Sequence, residues 1–331
     1  MKHLSYRFRL VCPNISCSSR ELEAPPPSGV AETDSKASES SVGRSPDSQP
    51  IKRKGVFFRK RNSKPIQRFL CKICNRSFST ATLSSCYRQK KRYLNQPIWR
   101  LFVSGVSHRR ISRLLNVTQN TVARKLVFLA GVAEDKHDQF LTSLEAAPLK
   151  AIQFDEMETF EKSKCLPLSI SLVVAEKSRK ILGLRVASMP AKGPLAEFSR
   201  KKYGYRPDHR RREASDLFKS LHKVIHPNAQ ITSDENPKYP KWISSHFSTI
   251  THATVKGRRG CITGQGELKK IGFDPLFDLN HTCAMIRANV NRMFRRTWCT
   301  TKRPDRLLAH LYLYMQYHNE VLTRSVVAEA T

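Results

Sequence analysis

The chain has 331 residues, enough for two or three domains, and sets 59 Lys and Arg against 27 Asp and Glu, a formal charge of +32. Such an excess must be offset by a polyanion or by counterions; nucleic acid is the usual answer, and an anionic membrane surface the bland alternative. There is no run of about 18 apolar residues to span a bilayer, and Arg7 and Arg9 break up any apolar leader, so no signal peptide is expected and the nine cysteines read as thiols or metal ligands rather than disulfides.

In chain order, Cys12 and Cys17 come first, with four residues between them in a turn-rich stretch. Residues 18–50 hold nine Ser, five Pro and no aromatic residue. That composition buries too little apolar surface to offset the entropy of ordering, so a disordered insertion is expected. Order resumes at residues 51–58, where Val56, Phe57 and Phe58 are strand-like. Cys71-Lys72-Ile73-Cys74 then gives a C-x-x-C turn, half of a zinc ribbon. Thiolates at that spacing take two corners of a tetrahedron, and Cys12 and Cys17 are the candidates for the other two, against the alternative of unligated thiols. Cys86 is a spare candidate ligand, with a buried thiol the competing reading.

Residues 51–130 contain twenty Lys or Arg and no acid. A solvated face normally mixes both signs, so this block argues for phosphate contact. Inside it, Ile98, Leu101 and Phe102 mark a short helix. Ser107 caps a second over residues 108–115, with Ile111, Leu114 and Leu115 inward. Asn116 and Val117 turn the chain, and Thr118 caps a third over 119–128, with Val122 and Leu126 inward. This pattern resembles a helix-turn-helix, whose outward residues Gln119, Asn120, Arg124 and Lys125 are expected to face base edges and phosphates; the competing reading is an ordinary bundle with a basic face. Residues 131–147 read as a connector, helical after Gly131.

The central region predicts strands at 150–155, 166–175 and 181–189, the last two a hairpin, and a basic loop at 191–212. A helix over 213–225 and a strand over 229–233 ending at Asp234 follow. Then come a short helix over 239–247 with Trp242 and Phe247 inward, a strand over 249–255, a Gly- and Arg-rich loop at 257–266, and helices over 277–297 and 306–319. Phe154-Asp155-Glu156 and Thr232-Ser233-Asp234 each put a carboxylate at the end of a short apolar strand. This element order is that of the RNase H-like fold, an α/β core with a mixed five-stranded sheet, in which the first and fourth strands are neighbours. Asp155 and Asp234 are then brought together from 79 residues apart. Glu156 points to the other strand face, a structural or supporting carboxylate.

Taken together, the Cys12/Cys17 and Cys71/Cys74 ribbon, the helix-turn-helix, the two Asp motifs and Leu279-Asn280-His281 leading into Arg292 and Lys302 resemble a bacterial insertion-sequence transposase with an RNase H-like acid-triad core. The resemblance spans nearly the whole chain outside residues 18–50. It implies an enzyme that binds the terminal inverted repeats of a mobile element, frees the 3′ ends and joins them to target DNA, using two Mg²⁺ or Mn²⁺ ions, with Zn²⁺ in the ribbon. It implies Asp155 and Asp234 as the first two metal ligands, with a cap or turn carboxylate the bland reading of each. The family's usual third ligand is Glu; here the matching position is Asn280, whose carbonyl oxygen is a weaker donor. Glu267 and Asp278 are rivals, and an N-cap is Asn280's bland role. Arg287, two turns on, resembles the basic residue that holds DNA, and Arg292, Arg295, Arg296, Lys302 and Arg303 form a backbone track; Trp298 stacks or packs. The implied partners are double-stranded DNA, as element ends and target, and further copies of the chain on that DNA. The implied location is the bacterial cytoplasm at the nucleoid, without a membrane. The expected layout is a ribbon over 1–95, a helix-turn-helix over 96–130, a connector over 131–149, a catalytic core over 150–320 and a tail. The missing Glu leaves a second reading open, a transposase-derived DNA-binding regulator that has lost catalysis.

Overall fold

The computed structural model describes residues 10–20, 50–58, 63, 65–256, 274–294 and 299–323. Most of the expected insertion, the 257–266 loop, Glu267, Arg295, Arg296, Trp298 and the end of the tail lie outside these residues. The chain divides into two compact units, residues 1–92 and 93–331.

In the first unit, β1 (Ile51–Phe58), β2 (Pro65–Cys71) and β3 (Ser77–Ser79) form an antiparallel sheet in sequence order. Seven of the eight β1 side chains are exposed, so its strand-like residues are not core residues. The small core lies instead under β2 and β3, where Phe69 and Phe78 pack around Cys12, Cys17 and Cys71.

The second unit opens with α1 (Asn95–Val103), α2 (His108–Leu114) and α3 (Gln119–Leu144). Ser107 and Thr118 cap α2 and α3, accepting from the N–H groups of Arg110 and Thr121. Each such cap contributes about 1 kcal/mol. Asn116 sits at φ +47° in the turn between them, a conformation Asn tolerates well. Two expectations are corrected here. Leu114 is 62% exposed rather than inward. The third helix does not stop at 128: it runs through Gly131 to Leu144, because Ala130, Ala133 and His137 continue the buried stripe at helical spacing.

A mixed sheet follows, built from β4 (Leu149–Phe160), β5 (Pro167–Ala175), β6 (Ile181–Ser188), β7 (Ile225–Asp234) and β8 (Thr251–Val255), in the spatial order β6-β5-β4-β7-β8. The pairs among β4, β5 and β6 are antiparallel, and β7 runs parallel to both β4 and β8. Eight of nine β5 residues are buried, as a strand covered on both faces requires. One face packs on α5 (Arg210–Leu221) and α6 (Tyr239–Ser244), through Phe154, Leu217, Phe218 and Trp242. The other shares a single core with α1–α3, α7 (Phe277–Asn289) and α8 (Pro304–Tyr317), through residues such as Met157, Ile170, Phe102, Leu126, Ile286 and Leu311. This mixed α/β architecture is compatible with an RNase H-like core.

Three further boundaries differ from expectation. The stretch 191–212 is not all loop, since α4 (Leu195–Tyr203) forms within it. The helix begun at 277 ends at Asn289 and gives way to a 3-10 turn at Asn291–Met293. Strand β4 runs five residues past Asp155.

Candidate active site

Because β4 continues to Phe160, Asp155 is not at a strand end. Its antiparallel pairing to β5 carries on, with Asp155 opposite Leu172. What stops near it is the parallel partner. Phe154 pairs with Ser233, the last matched pair between β4 and β7, and each strand's next residue is an aspartate, Asp155 and Asp234. Asp155 therefore emerges where β7 diverges, the kind of opening in which α/β sheets hold ligands.

Asp155 is half-buried, and its carboxyl is pushed up to about 6. Burial is the main cause and the Asp234 charge adds to it, while the Glu156 N–H, the Tyr239 hydroxyl and the Arg287 charge oppose. The Glu156 N–H donates to Asp155 Oδ1 at 2.6 Å and the Tyr239 hydroxyl donates to the same oxygen at 3.0 Å. Oδ1 is thus fixed from two sides, and Oδ2 takes no part in either bond. Asp234 Oδ1 accepts from the Asn236 N–H at 3.1 Å. Two carboxylates side by side in a partly dry site repel each other, and a bound divalent cation would relieve this. Among the residues present, the donor set fits a hard cation.

Helix α7 is seated on β4 by Gln153, whose Oε1 accepts the Leu279 N–H at 2.9 Å and whose Nε2 donates to Pro275 O at 2.9 Å. Gln153 lies two residues before Asp155, hence on the same sheet face. One turn past Leu279, the buried Cys283 thiol is pushed up to about 12 by burial and by the Asp155 charge, with Arg287 opposing. The Cys283–Arg287 stretch of α7 therefore faces Asp155. Asn280 and Arg287 are both exposed, seven residues apart on one side of the helix. The Asn280 amide Nδ2 donates to Asp274 Oδ2 at 2.9 Å, leaving the carbonyl oxygen, the atom a metal would take, outside that bond. Asp278 is turned away: its Oδ2 accepts the Lys177 N–H at the β5–β6 turn.

Glu156 lies on the opposite face, where Ser169 Oγ donates to it at 2.7 Å and Arg210 stands 3.9 Å away. Burial raises its pKa. Tyr239 was not among the expected site residues. It is 1% exposed and packs on Phe154, which is how an aromatic residue in a short helix reads from sequence; only the three-dimensional path of α6 brings its hydroxyl to Asp155.

Of the expected DNA-facing residues, Gln119, Asn120 and Arg124 are exposed on α3. Lys125 is corrected: it is 5% exposed, and its Nζ donates to Asn95 Oδ1 at 2.6 Å. The residue one turn before Leu129 and three after Val122 falls on the packed side of a longer helix, and a buried ammonium persists only where it is hydrogen-bonded. Arg292 is largely enclosed, with Nη1 donating to Thr301 Oγ1 at 3.1 Å.

In the N-terminal unit the four expected cysteines converge. The sulfurs of Cys12, Cys17, Cys71 and Cys74 all lie within 4.8 Å of one another, with Cys12–Cys74 at 3.5 Å and Cys17–Cys71 at 3.7 Å. A tetrahedral zinc with bonds of about 2.3 Å places its sulfurs about 3.8 Å apart. Burial pushes the Cys12 thiol up to about 12. At Cys71 burial acts the same way, but the Cys74 N–H, Ser19 hydroxyl and Ile73 N–H outweigh it and bring the thiol down to about 6. The cluster can hold a metal such as zinc.

No family model matches the chain, and no curated protein is similar to it.

Proposed function

We propose that the chain is a DNA transposase, a polynucleotidyl transferase that binds the terminal inverted repeats of its element and carries out metal-dependent strand cleavage and strand transfer. The observation that carries this reading is the β4–β7 register, which sets Asp155 beside Asp234 with the Arg287 side of α7 against them, in a chain of charge +32. Asp155 and Asp234 would hold Mg²⁺ or Mn²⁺, with the Asn280 carbonyl oxygen the nearest further donor on α7. Bound there, the ions would lower the barrier to an in-line displacement by polarising the phosphate and activating the attacking oxygen. A water or a 3′ hydroxyl forms the new P–O bond, the 3′ oxygen of the cleaved strand leaves with the electron pair, and the attacking group's proton passes to solvent. Tyr239 and the Glu156 N–H hold Asp155 Oδ1 in place, and Arg287 offers a cation to the phosphate. Gln119, Asn120 and Arg124 would meet the DNA. Zinc in the four-cysteine cluster would tie the N-terminal unit together.

The test is Mg²⁺- or Mn²⁺-dependent nicking and joining of DNA carrying the element's own ends. Asp155→Ala should bind the ends while losing at least about a hundredfold in rate, some 3 kcal/mol of transition-state stabilisation. Equal cutting by both proteins would put the chemistry elsewhere. One observation favours a second reading, a DNA-binding regulator without catalysis: the third position is Asn280 and its amide is engaged by Asp274. End binding with no reaction by the wild type would select it.

A further inference from the structure

An open cavity of about 1230 Å³ lies between the helix-turn-helix and the chain that follows α7. The α1–α2 turn, α2 and Gln119 form one wall, and Arg292, Phe294, Thr300 and Lys302 with His310 of α8 line the other. Arg109, Arg110 and Arg113 come from the first wall, and Arg292 and Lys302 from the second. Among the described residues, no Asp or Glu lines it. A cleft with cations on both walls concentrates anions from solution.

Two side chains of the cavity wall also carry enclosed polar atoms without a partner among the described residues. Arg292 Nε is fully shielded from solvent and meets no hydrogen-bond acceptor among the described residues. Burial, and then the Arg306 charge, lower the Arg292 pKa to about 10, which leaves the guanidinium charged at neutral pH. His310 is 1% exposed. Its Nε2 is bonded to Phe102 O at 3.0 Å, and its enclosed Nδ1 has no partner among the described residues. Such atoms are rare in folded proteins and call for an explanation. The exposed guanidiniums of Arg109, Arg110 and Arg113, in a roomy cleft, match the planar, multi-oxygen acceptor that phosphate presents.

We infer that this cleft grips the phosphodiester backbone of bound duplex DNA, with α2 on one side and Arg292 and Lys302 on the other, adjoining the α3 edge that begins at Gln119. Helix α2 and the segment after α7 are about 180 residues apart in sequence, so a backbone held here would fix the DNA to the helix-turn-helix and to the core at once. The inference rests on the DNA-binding reading above.

Anisotropy titrations of the full chain with a labelled duplex, at several KCl concentrations, test it. Arg109, Arg113 and Lys302 are exposed, so Arg109→Gln, Arg113→Gln and Lys302→Gln should fold normally. Each should lower the slope of log affinity against log salt by about 0.9 for every phosphate that is no longer neutralised. Arg292→Gln should weaken binding further, with Arg292→Lys recovering part of it. Arg124→Gln, on the outer side of α3, is the comparison. If it weakens binding while the cleft variants keep wild-type affinity and slope, the cleft assignment falls and DNA binding stands. If wild type binds no duplex at any salt, both readings fall. If the cleft variants lose calorimetric binding of inorganic pyrophosphate but not of duplex, the cleft serves a small phosphate and the backbone assignment is overturned.

Discussion

At Asp155 two neighbours set the chemistry. The Glu156 N–H comes from the chain itself, whereas the Tyr239 hydroxyl arrives from a helix 84 residues on. The neighbouring register of the two aspartates was legible in the sequence because each follows a short apolar stretch, although only Asp234 closes its strand. Tyr239 was not, because nothing in a sequence separates a tyrosine buried for its ring from one buried for its hydroxyl. Lys125 fails for a related reason: its partner Asn95 stands thirty residues away, and a lysine in a basic block reads as solvated until that contact is known. His310 gives the residue-scale prediction. Burial lowers it to about 3, and His108, which packs edge-on to the same Phe102 ring, to about 4. A histidine whose folded pKa lies below its unfolded value of about 6.5 takes up protons on unfolding, so its stabilising share is complete above that pH and drains away as pH falls. Urea unfolding of the wild type should therefore lose about 1.4 kcal/mol per pH unit for each such histidine below pH 6.5. The tryptophans 99, 242 and 298 all lie in the unit over residues 93–331, so their fluorescence reports on the right part of the chain. His310→Gln should flatten the slope by one proton's worth; identical slopes would contradict the account.

Elements were most legible where periodicity and capping agreed. Ser107, Asn116 and Thr118 mark the α2–α3 turn by local chemistry alone, and the β5–β6 hairpin is framed by continuous apolar runs on either side of a polar turn. Lengths were less legible. Gly131 carries a helix-breaking preference of about 1 kcal/mol, which α3 overrides by packing Ala130, Ala133 and His137. β4 outruns its parallel partner because β5 keeps pairing with it to Phe160. That overrun has a functional consequence: Asp155 is held by a full antiparallel ladder on one side and opens onto Asp234 on the other. α4 escaped notice because its sequence is dominated by Arg200, Lys201 and Lys202, with Leu195, Phe198 and Tyr203 all exposed, so no buried stripe announced it.

For the whole molecule, the twofold division into residues 1–92 and 93–331 separates the cysteine cluster from the candidate active site. Among its described residues, the core of the first unit centres on Cys12, Cys17 and Cys71 with Phe69 and Phe78, too little apolar surface there to stand without a staple. Purified protein should accordingly carry one zinc per chain, released by a thiol-directed mercurial, and its removal should loosen residues 1–92 while leaving tryptophan fluorescence from the second unit native. Protein isolated with no zinc, and no loss of structure, would show these thiols to be metal-free. The claim on which the account turns is that Asp155 and Asp234, 79 residues apart, form one divalent-metal site. Mn²⁺ binding to the full chain, followed by water-proton relaxation in wild type, Asp155→Asn and Asp234→Asn, addresses it without needing the element's ends. Wild type should bind Mn²⁺, and either substitution alone should weaken binding at least tenfold. Mn²⁺ affinity unchanged in both variants would contradict it.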